Sequence, residues 1–238
     1  MKEKKFSVRV LAEIAIFSAI AFALDALQGG IFRGVFAAGG SIGIAMVPIF
    51  VIAYRRGFLA GFLCGLVVSL IQMLGGIYVI QGASFDNEFM KVMGPFIQVM
   101  LDYVLAYTFV GLIAGIFGEL YLKEQNDKRK LLWIIVGTVL AGLFKYASHV
   151  IAGGVFWLGD GSDGFWGVSN DSWLYSFVYN GAYSIPNIIL CTPIMVLIAK
   201  FYPRLLNVNY YEKDEKEVTE TKEVNNDEEK GEAINEKL

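Results

Sequence analysis

Apolar stretches of helix length recur along this chain, and they limit the possible folds more than any other feature. They cover residues 9–28, 39–54, 57–75, 94–118, 131–153 and 173–200. A helix needs about 20 apolar residues to cross the hydrocarbon core of a bilayer, and only helices or closed barrels satisfy their backbone groups there. The pattern therefore predicts an all-α membrane protein, built as a bundle of six transmembrane helices.

The composition agrees with a membrane protein, because 55% of the 238 residues are hydrophobic and only 18% are charged. The mean hydropathy is +0.52. The first apolar stretch continues to about Leu27 without a small-residue cleavage site, so we interpret it as a transmembrane helix rather than a signal peptide. Cys64 and Cys191 lie in apolar segments without a CxxC partner, which indicates neither a disulfide nor a zinc site. We expect no cofactor.

Basic residues fall almost entirely on one side of the predicted bundle. Twelve Lys or Arg residues flank the helix ends on that side, against Arg33 and Lys91 on the other. By the positive-inside rule, both termini lie in the cytoplasm and the chain crosses the cell membrane several times. The lipid bilayer is its expected surrounding. The chain shows no basic face for nucleic acid, so we expect no such partner.

The last 30 residues differ in kind from the rest of the chain. Residues 209–238 carry eleven Asp or Glu against five Lys and almost no large apolar residues after Tyr211. Such a segment cannot bury a core. We therefore predict two parts, a transmembrane domain over residues 1–208 and a disordered, acidic cytoplasmic tail over residues 209–238.

Three predicted external loops are long, rich in glycine and aromatic. They cover residues 28–41, 75–93 and 158–172. Long loops on one face of a rigid scaffold often carry binding residues. Their Trp and Tyr residues are equally typical of an aromatic belt at the membrane interface. Both interpretations remain open from the sequence alone.

The fifth apolar stretch contains ionisable residues at membrane depth. Lys145 and His149, the only histidine, share one helical face with Gly153, and Trp157 lies at the external edge. Ionisable groups within a membrane usually face a bundle interior or a cavity and mark functional sites. A glycine on this face would let a flat ring approach the backbone. We therefore predict that this face contacts a ligand.

The fourth stretch supplies the opposite charge. Asp102 and Tyr103 occur in the segment LDYVLAY, and we interpret Asp102 as the only deep carboxylate of the chain. A buried charge needs a partner, so we expect Asp102 to meet Lys145, a cationic ligand or both. Alternatively, Asp102 and Lys145 form a purely structural pair between two helices. Since a site for a cation gains nothing from another cation, Lys145 would position Asp102 or meet a ligand hydroxyl.

The sixth stretch carries a polar stripe on an otherwise apolar helix. Its members follow one another at spacings of four, three and four, and they are Ser176, Asn180, Tyr183 and Asn187, flanked by Tyr175 and Tyr179. Such groups can join helices or line a wet pocket, and we favour the pocket. Together with Asp102, His149 and Trp157, the inventory suits a small aromatic cation.

Nothing in the chain indicates an enzyme. It lacks a phosphate-binding P-loop, a G-x-S-x-G nucleophile elbow and an H-E-x-x-H zinc motif. An intramembrane enzyme that uses His149 and Asp102 as an acid–base pair is a remaining alternative, although no nucleophile or metal set accompanies them.

Two rows of small residues indicate close helix packing. Ala15, Ala19 and Ala23 recur every four residues on the first stretch, and Gly57, Gly61 and Gly65 do so on the third. Rows of this kind let another helix approach closely. For the glycine row we favour packing within the bundle. The alanine row suits either internal packing or the docking of a partner protein.

Four segments together show a resemblance to a known family. They are RRG after a proline-bearing helix, then LDYVLAY, KYASHVIAGGVFW and YSFVYNGAY on the last three predicted helices. Over residues 6 to about 205 the chain resembles the thiamine-specific substrate-binding component (S-component) of energy-coupling factor (ECF) transporters. The resemblance implies a six-helix bacterial membrane protein that binds thiamine from outside. Release inside would depend on a transmembrane coupling protein and two ATPase subunits.

The resemblance also implies roles for individual residues. Asp102 would face the ligand beside Tyr103, His149 and Trp157 would contact the thiamine rings, and Tyr175, Asn180 and Tyr78 would complete the pocket. Ala15 and Ala19, with Ala23 on the same row, would dock the coupling protein. One departure is that the first external loop has no tryptophan, which some relatives close over the ligand, so Phe32 or Phe36 would substitute. An S-component for another vitamin or for a thiamine precursor is the main alternative.

Overall fold

The computed structural model describes residues 7–32, 34–36, 39–82, 85–159 and 164–208. The acidic tail predicted at 209–238 and the basic N-terminal residues Lys2, Lys4 and Lys5 lie outside the described residues, as does Arg33. Within those ranges the regular structure is helical, apart from one isolated bridge between Phe165 and Val168. The all-α class predicted from the apolar stretches is confirmed.

The helices follow one another with short connections at one end of the bundle and longer ones at the other. Their bounds are α1 Val8–Phe32, α2 Met46–Arg56, α3 Phe58–Leu74, α4 Glu88–Val99, α5 Leu105–Lys123, α6 Asp127–Phe156, α7 Trp173–Phe201 and α8 Pro203–Leu206. A π-helical turn, Met100–Val104, joins α4 to α5, so these elements run without interruption from Glu88 to Lys123.

Four helical stretches are long and apolar enough to cross a membrane. They are Val8–Phe32, Glu88–Lys123, Asp127–Phe156 and Trp173–Phe201. The apolar helix α3 is shorter, at 17 residues. These five elements overlap the first, third, fourth, fifth and sixth predicted stretches. The total of six membrane spans is still a prediction, because the remaining element, α2, is much shorter.

The predicted second stretch, 39–54, is wrong at its beginning. Helix α2 starts at Met46 and has 11 residues, a length of about 16 Å that cannot cross a bilayer alone. Gly39 and Gly40 adopt positive φ angles of 98° and 110°, which a continuing helix excludes. Every residue from Met46 to Tyr54 is buried. Helix α2 is therefore a central element covered by its neighbours.

Gly61 and Gly65 of the predicted glycine row lie on α3 and pack inside the bundle, as favoured from the sequence, whereas Gly57 precedes the helix with a positive φ angle of 82°. A Cβ atom added at Gly61 would lie 2.6 Å from the carbonyl oxygen of Gly111 in α5, and one at Gly65 would collide with the carbonyl oxygen of Tyr107. Side chains larger than hydrogen would thus push the two helices apart. The row brings α3 and α5 into backbone contact and so fixes the position of the π-helical turn that directly precedes α5.

Charged residues meet at one end of the bundle. The Glu13 carboxylate in α1 accepts hydrogen bonds from Arg56 Nε at 2.6 Å and Arg55 Nε at 3.1 Å. Arg55 also donates to the backbone carbonyl oxygen of Arg204 at 3.0 Å. These contacts tie the first half of α1 to the end of α2 and to α8. Basic residues from distant parts of the sequence therefore share one end of the molecule.

Helix α1 has two different faces. Ile14, Ser18, Ala21 and Gln28 are buried against the bundle. Ala15, Ala19 and Ala23 are all exposed on the outside. The alanine row therefore does not serve packing within this chain, and it remains available to lipid or to another protein.

Candidate ligand-binding site

The site forms around Asp102, which the π-helical turn between α4 and α5 carries. Gln98 lies four residues earlier, and its Nε2 donates a hydrogen bond to Asp102 Oδ2 at 2.7 Å. Trp157 Nε1, just beyond the end of α6, donates to the same oxygen at 2.9 Å. The other oxygen, Oδ1, lies 4.0 Å from His149 Nδ1, which is an ion-pair distance rather than a hydrogen bond. π-Helical turns occur frequently at functional sites.

Tyr103 and Gln98 hold the segment that follows α3. The backbone N–H of Tyr78 donates to Tyr103 Oη at 2.9 Å, and Gln98 Nε2 donates to the carbonyl oxygen of Tyr78 at 3.2 Å. The ring centroid of Tyr78 then lies 5.3 Å from that of Trp157. Tyr78 is 69% exposed. Two aromatic rings therefore stand side by side next to the Asp102 carboxylate, one of them open to the outside.

Asn180 in α7 forms the opposite side of the site. Its Nδ2 donates to the carbonyl oxygen of His149 at 3.3 Å, and its Oδ1 accepts from Tyr183 Oη at 2.5 Å. The Tyr183 ring meets the His149 ring edge-on, with centroids 6.0 Å apart. These contacts place the imidazole of His149 between the Asp102 carboxylate and the phenol of Tyr183.

Gly153 lies where α6 and α7 approach one another. A Cβ atom there would collide with Ser176 Oγ and come within 3.1 Å of Asn180 Nδ2. Ser176 Oγ in turn donates to the carbonyl oxygen of Val150 at 2.8 Å. Because Gly153 has no side chain, α6 and α7 can approach closely at this position. Its predicted contact with a ligand stays a prediction.

Phe36 and Gly39, between α1 and α2, contact the first half of α7 through an aromatic cluster. Phe36 is 3% exposed and meets the rings of Tyr179 and Tyr183 edge-on, with centroids 6.1 and 5.5 Å away. Tyr175 stacks on Tyr179 at 5.6 Å. Tyr179 Oη also donates to the carbonyl oxygen of Gly39 at 2.9 Å. Tyr175 therefore reaches the site through Tyr179 and Tyr183 rather than by contact with Asp102.

Part of the polar stripe on α7 serves this loop instead of a pocket. Asn187 Oδ1 accepts from the N–H of Gly43 at 2.6 Å, and its Nδ2 donates to the carbonyl oxygen of Ser41 at 2.9 Å. Ser176 bonds the backbone of α6, as described above. The expectation that all four stripe residues face a pocket is therefore wrong for these two, because backbone groups of neighbouring segments already occupy them.

Lys145 does not pair with Asp102, in contrast to the expectation from sequence. No salt bridge joins the two among the described residues. The Lys145 Nζ atom lies 4.3 Å from the centroid of the Tyr107 ring in α5, and the side chain is 9% exposed. The predicted role in positioning Asp102 therefore finds no direct contact to support it and stays a prediction. A contact of Lys145 with a ligand hydroxyl stays a prediction.

Asp25 in α1 is a second carboxylate that the sequence reasoning missed. It accepts a hydrogen bond from Tyr107 Oη at 2.5 Å and another from Gln72 Nε2. Asp102 is therefore not the only deep carboxylate. The signal was present, since Asp25 interrupts an apolar stretch, yet hydropathy averaging over that stretch hides a single charge.

The arrangement brings together most of the residues predicted to bind a ligand. Asp102 has no lysine or arginine in salt-bridge contact among the described residues, and aromatic rings and amide groups stand around it. A carboxylate next to Tyr and Trp rings can bind an organic cation by ion pairing and cation–π contact. Within the described ranges, His, Cys, Asp and Glu form no group suited to a metal ion.

Fold and site together define a class: a multi-pass helical membrane protein with a polar, aromatic site at the end of the bundle opposite its basic residues. A sequence profile for the family described as thiamine transporter protein (Thia_YuaJ) matches residues 11–207. The chain belongs to this family.

Individual relatives agree with this membership. The chain is 35% identical over 209 residues to the thiamine transporter ThiT of Bacillus subtilis, covering 87% of this chain and 97% of the relative. It is 28% identical to ThiT of Lacticaseibacillus paracasei over 82% of this chain and 89% of the relative. The relatives are named as transporters, not as enzymes, and both come from bacteria.

A solved structure supports the same fold. The structure of ThiT from Listeria monocytogenes superposes with a TM-score of 0.60 at 27% identity, and the match covers 84% of this chain and 98% of that chain. The resemblance to a thiamine-specific S-component, noted from the motifs of the last three helices, is confirmed. The chain is accordingly a multi-pass membrane protein of a bacterial transporter family.

Proposed function

We propose that this protein is the thiamine-binding S-component of an ECF transporter, which captures the vitamin outside and delivers it through a separate ATP-driven module. One observation carries the proposal: the Asp102 carboxylate is bonded by the neutral groups of Gln98 and Trp157 and lies beside His149. A carboxylate in this setting favours a cation. Thiamine is an aromatic cation with a positive thiazolium ring and a polar aminopyrimidine.

Each side of the site has a proposed role. Asp102 attracts the positive charge, and the rings of Tyr78, Trp157 and His149 contact the flat surfaces of the ligand. Asn180 and Tyr103 supply hydrogen-bonding groups. Tyr175 supports the site indirectly, because it stacks on Tyr179 in the aromatic cluster. Gly153 lets α6 and α7 approach closely enough to hold His149 next to Asn180. Lys145 lies deeper and reaches the ligand hydroxyl.

We further propose a six-span topology with both termini in the cytoplasm. The site residue Tyr175 lies near the start of α7, whereas Arg204 follows its end. A helix of 29 residues is about 43 Å long. The basic cluster and Tyr175 therefore lie at opposite ends of a helix about as long as the bilayer is thick, which suits a basic cytoplasmic end and a site that opens to the outside. Residues 1–208 form the membrane domain, and residues 209–238 form a solvated acidic tail.

Binding to purified protein tests the substrate. We expect thiamine to quench the fluorescence of Trp157 at lower concentration than riboflavin, biotin or the isolated aminopyrimidine. Because the chain has four tryptophans, the variant Trp157→Phe serves as the control and should lose the quench. Stronger quenching by another vitamin or by the pyrimidine would identify a different S-component. Recovery of a chemically altered thiamine after incubation would favour an intramembrane enzyme instead.

The proposed partners are a transmembrane coupling protein and two ATPase subunits, with α1 as the docking helix. The exposed alanine row supports this assignment, because small residues let a partner helix approach closely. We expect Ala19→Trp to abolish thiamine uptake in cells that supply the module, while thiamine binding to the purified variant is unchanged. Ile189→Trp, at a lipid-exposed position of α7, is the matched control and should transport normally. Loss of binding in Ala19→Trp would place the row inside the fold.

A further inference from the structure

The second partly buried carboxylate, Asp25, has no part in the proposed contacts with the vitamin, although it lies among polar groups from three other helices. Its Oδ1 accepts from Tyr107 Oη of α5 at 2.5 Å, and Gln72 of α3 also donates to it. On the other side of Tyr107, the Lys145 ammonium group of α6 lies 4.3 Å from the ring centroid. Tyr107 itself is 3% exposed. The Tyr107 ring thus contacts a partly buried anion through its hydroxyl and a buried cation over its face.

The two charges depend on each other. Lys145 makes no salt bridge within 4.0 Å to any described carboxylate, and an unpaired ammonium at membrane depth is costly. Asp25 is a carboxylate that interacts electrostatically with Lys145, and its sign is opposite. The face of Tyr107 attracts the ammonium group, and the hydroxyl of the same ring donates to the carboxylate. Charge balance is therefore achieved across the ring rather than by direct contact.

The balanced pair lies close enough to act on the ligand site. Both Asp25 and Lys145 act electrostatically on His149, with opposite signs, and His149 lies beside Asp102. With both charges present, the negative charge of Asp25 offsets part of the effect of Lys145 at the site. If Asp25 were neutral, the remaining positive charge of Lys145 would oppose the binding of any cation at Asp102. At an effective dielectric constant of about 20, a unit charge about 10 Å away changes cation affinity by roughly tenfold.

We propose that Asp25 is a positioning and specificity-determining residue, which neutralises the buried Lys145 ammonium across the Tyr107 ring and so keeps the site selective for a cation. This inference rests on the proposed function for its ligand. It also links α1, whose outer face carries the alanine row, to the interior of the site. Asp25 itself touches no ligand in this scheme.

The experiment compares thiamine with a neutral thiophene analogue, in which carbon replaces the thiazolium nitrogen. The measured quantity is the ratio of the two dissociation constants. We expect Asp25→Asn to lower the preference for thiamine about tenfold. Asp25→Glu, which retains the charge, should keep most of the preference. The double variant Asp25→Asn with Lys145→Met removes both charges and should restore the ratio to within about twofold of the wild type.

The ratio of the two dissociation constants distinguishes the proposed electrostatic role of Asp25 from a purely structural role. Any contact of Lys145 with the ligand hydroxyl affects thiamine and the analogue alike and so cancels. A structural role of Asp25 predicts equal losses for both ligands and a double variant that is worse than either single change. Either of those results would overturn the proposal. Ser18→Ala, a neutral change on the same buried face of α1, is the control and should leave the ratio unchanged.

A second readout keeps the test independent of the ligand. Without ligand, Asp25→Asn should lower the thermal midpoint of the purified protein, and the double variant should regain most of the loss. If Asp25→Asn does not fold, Tyr107→Phe replaces it, because that change removes the hydroxyl bond to Asp25 and should reduce the ratio more weakly. Should the wild type not bind thiamine, the proposed function is wrong, and the thermal midpoints alone decide the charge pairing. An unrestored midpoint in the double variant would refute that pairing.

Discussion

Asp102 and Asp25 are two carboxylates in one bundle, yet the groups that surround them differ in charge. Asp102 receives hydrogen bonds from the neutral groups of Gln98 and Trp157 and lies next to aromatic rings. Asp25 receives hydrogen bonds from Tyr107 and Gln72 and has the Lys145 ammonium group on the far side of the Tyr107 ring. Among the described residues, no lysine or arginine lies within salt-bridge distance of Asp102, whereas the Lys145 ammonium group lies over the ring that bonds Asp25. This difference supports the proposal that the charged ligand binds at Asp102.

The largest expected effect is on stability, at Asp25. Removing the Asp25 charge leaves the buried Lys145 ammonium group uncompensated, so we expect Asp25→Asn to lower the free energy of unfolding by about 3 kcal/mol. Asp102→Asn should change it by less than about 1 kcal/mol, because no buried cation is left behind. Thermal unfolding of both variants without ligand measures the difference. Equal losses at the two positions would abolish the distinction between them.

The next largest effect is on binding, at Asp102. Replacing a carboxylate that meets a cation removes a charge-assisted contact, and we expect Asp102→Asn to weaken thiamine binding about 100-fold. The neutral thiophene analogue should lose less than about threefold, since it never used the charge. Isothermal titration calorimetry with both ligands checks this prediction, with Asp102→Glu as the charge-preserving control. Comparable losses for both ligands would make Asp102 a structural residue.

A smaller effect is expected at Trp157, which both bonds Asp102 and faces Tyr78. Trp157→Phe keeps an aromatic surface but deletes the indole N–H, so thiamine affinity should fall about tenfold. Trp157→Ala removes the ring as well and should cost more. Calorimetric dissociation constants for the two variants separate the hydrogen bond from the ring contact, and equal values would mean that the ring contributes nothing.

The smallest effect is expected at Tyr183, whose hydroxyl donates to Asn180 at 2.5 Å. Tyr183→Phe retains the edge-on contact with His149 and loses one neutral hydrogen bond, so thiamine affinity should fall by about threefold to fivefold. The carboxamide of Asn180 would keep its bonds to the backbone of α6 and α7. A loss as large as that at Asp102 would indicate that the phenol touches the ligand directly.

Much of the fold was predictable because hydropathy is a local property. Five of six apolar stretches correspond to helices at nearly the predicted bounds, and the packing of the glycine row on α3 is confirmed. The failure at α2 has a specific cause. Residues 39–45 are apolar enough to resemble a helix, but Gly39 and Gly40 take positive φ angles and Asn187 holds the loop backbone. Those contacts come from a residue more than 140 positions away.

The site was predictable in its residue types and less so in its pairings. Asp102, His149, Trp157 and Asn180 were chosen because polar groups within apolar helices are unusual, and the structure brings them together. Their binding of thiamine is still a prediction. The role of Gln98 follows from its position four residues before Asp102, a spacing that a helix brings into contact.

The sequence by itself determined that the chain is a helical membrane protein of the thiamine transporter family. The length of the apolar stretches and the motifs in individual segments are local features, which can be recognised without the tertiary structure. The tertiary structure alone decided which charges meet. The sequence made Lys145 a possible partner of Asp102. In the structure, α6 is oriented so that Lys145 contacts the ring of Tyr107, whose hydroxyl donates a hydrogen bond to Asp25 of α1. Charge pairing depends on how helices distant in sequence are rotated against one another, and no local pattern encodes that rotation.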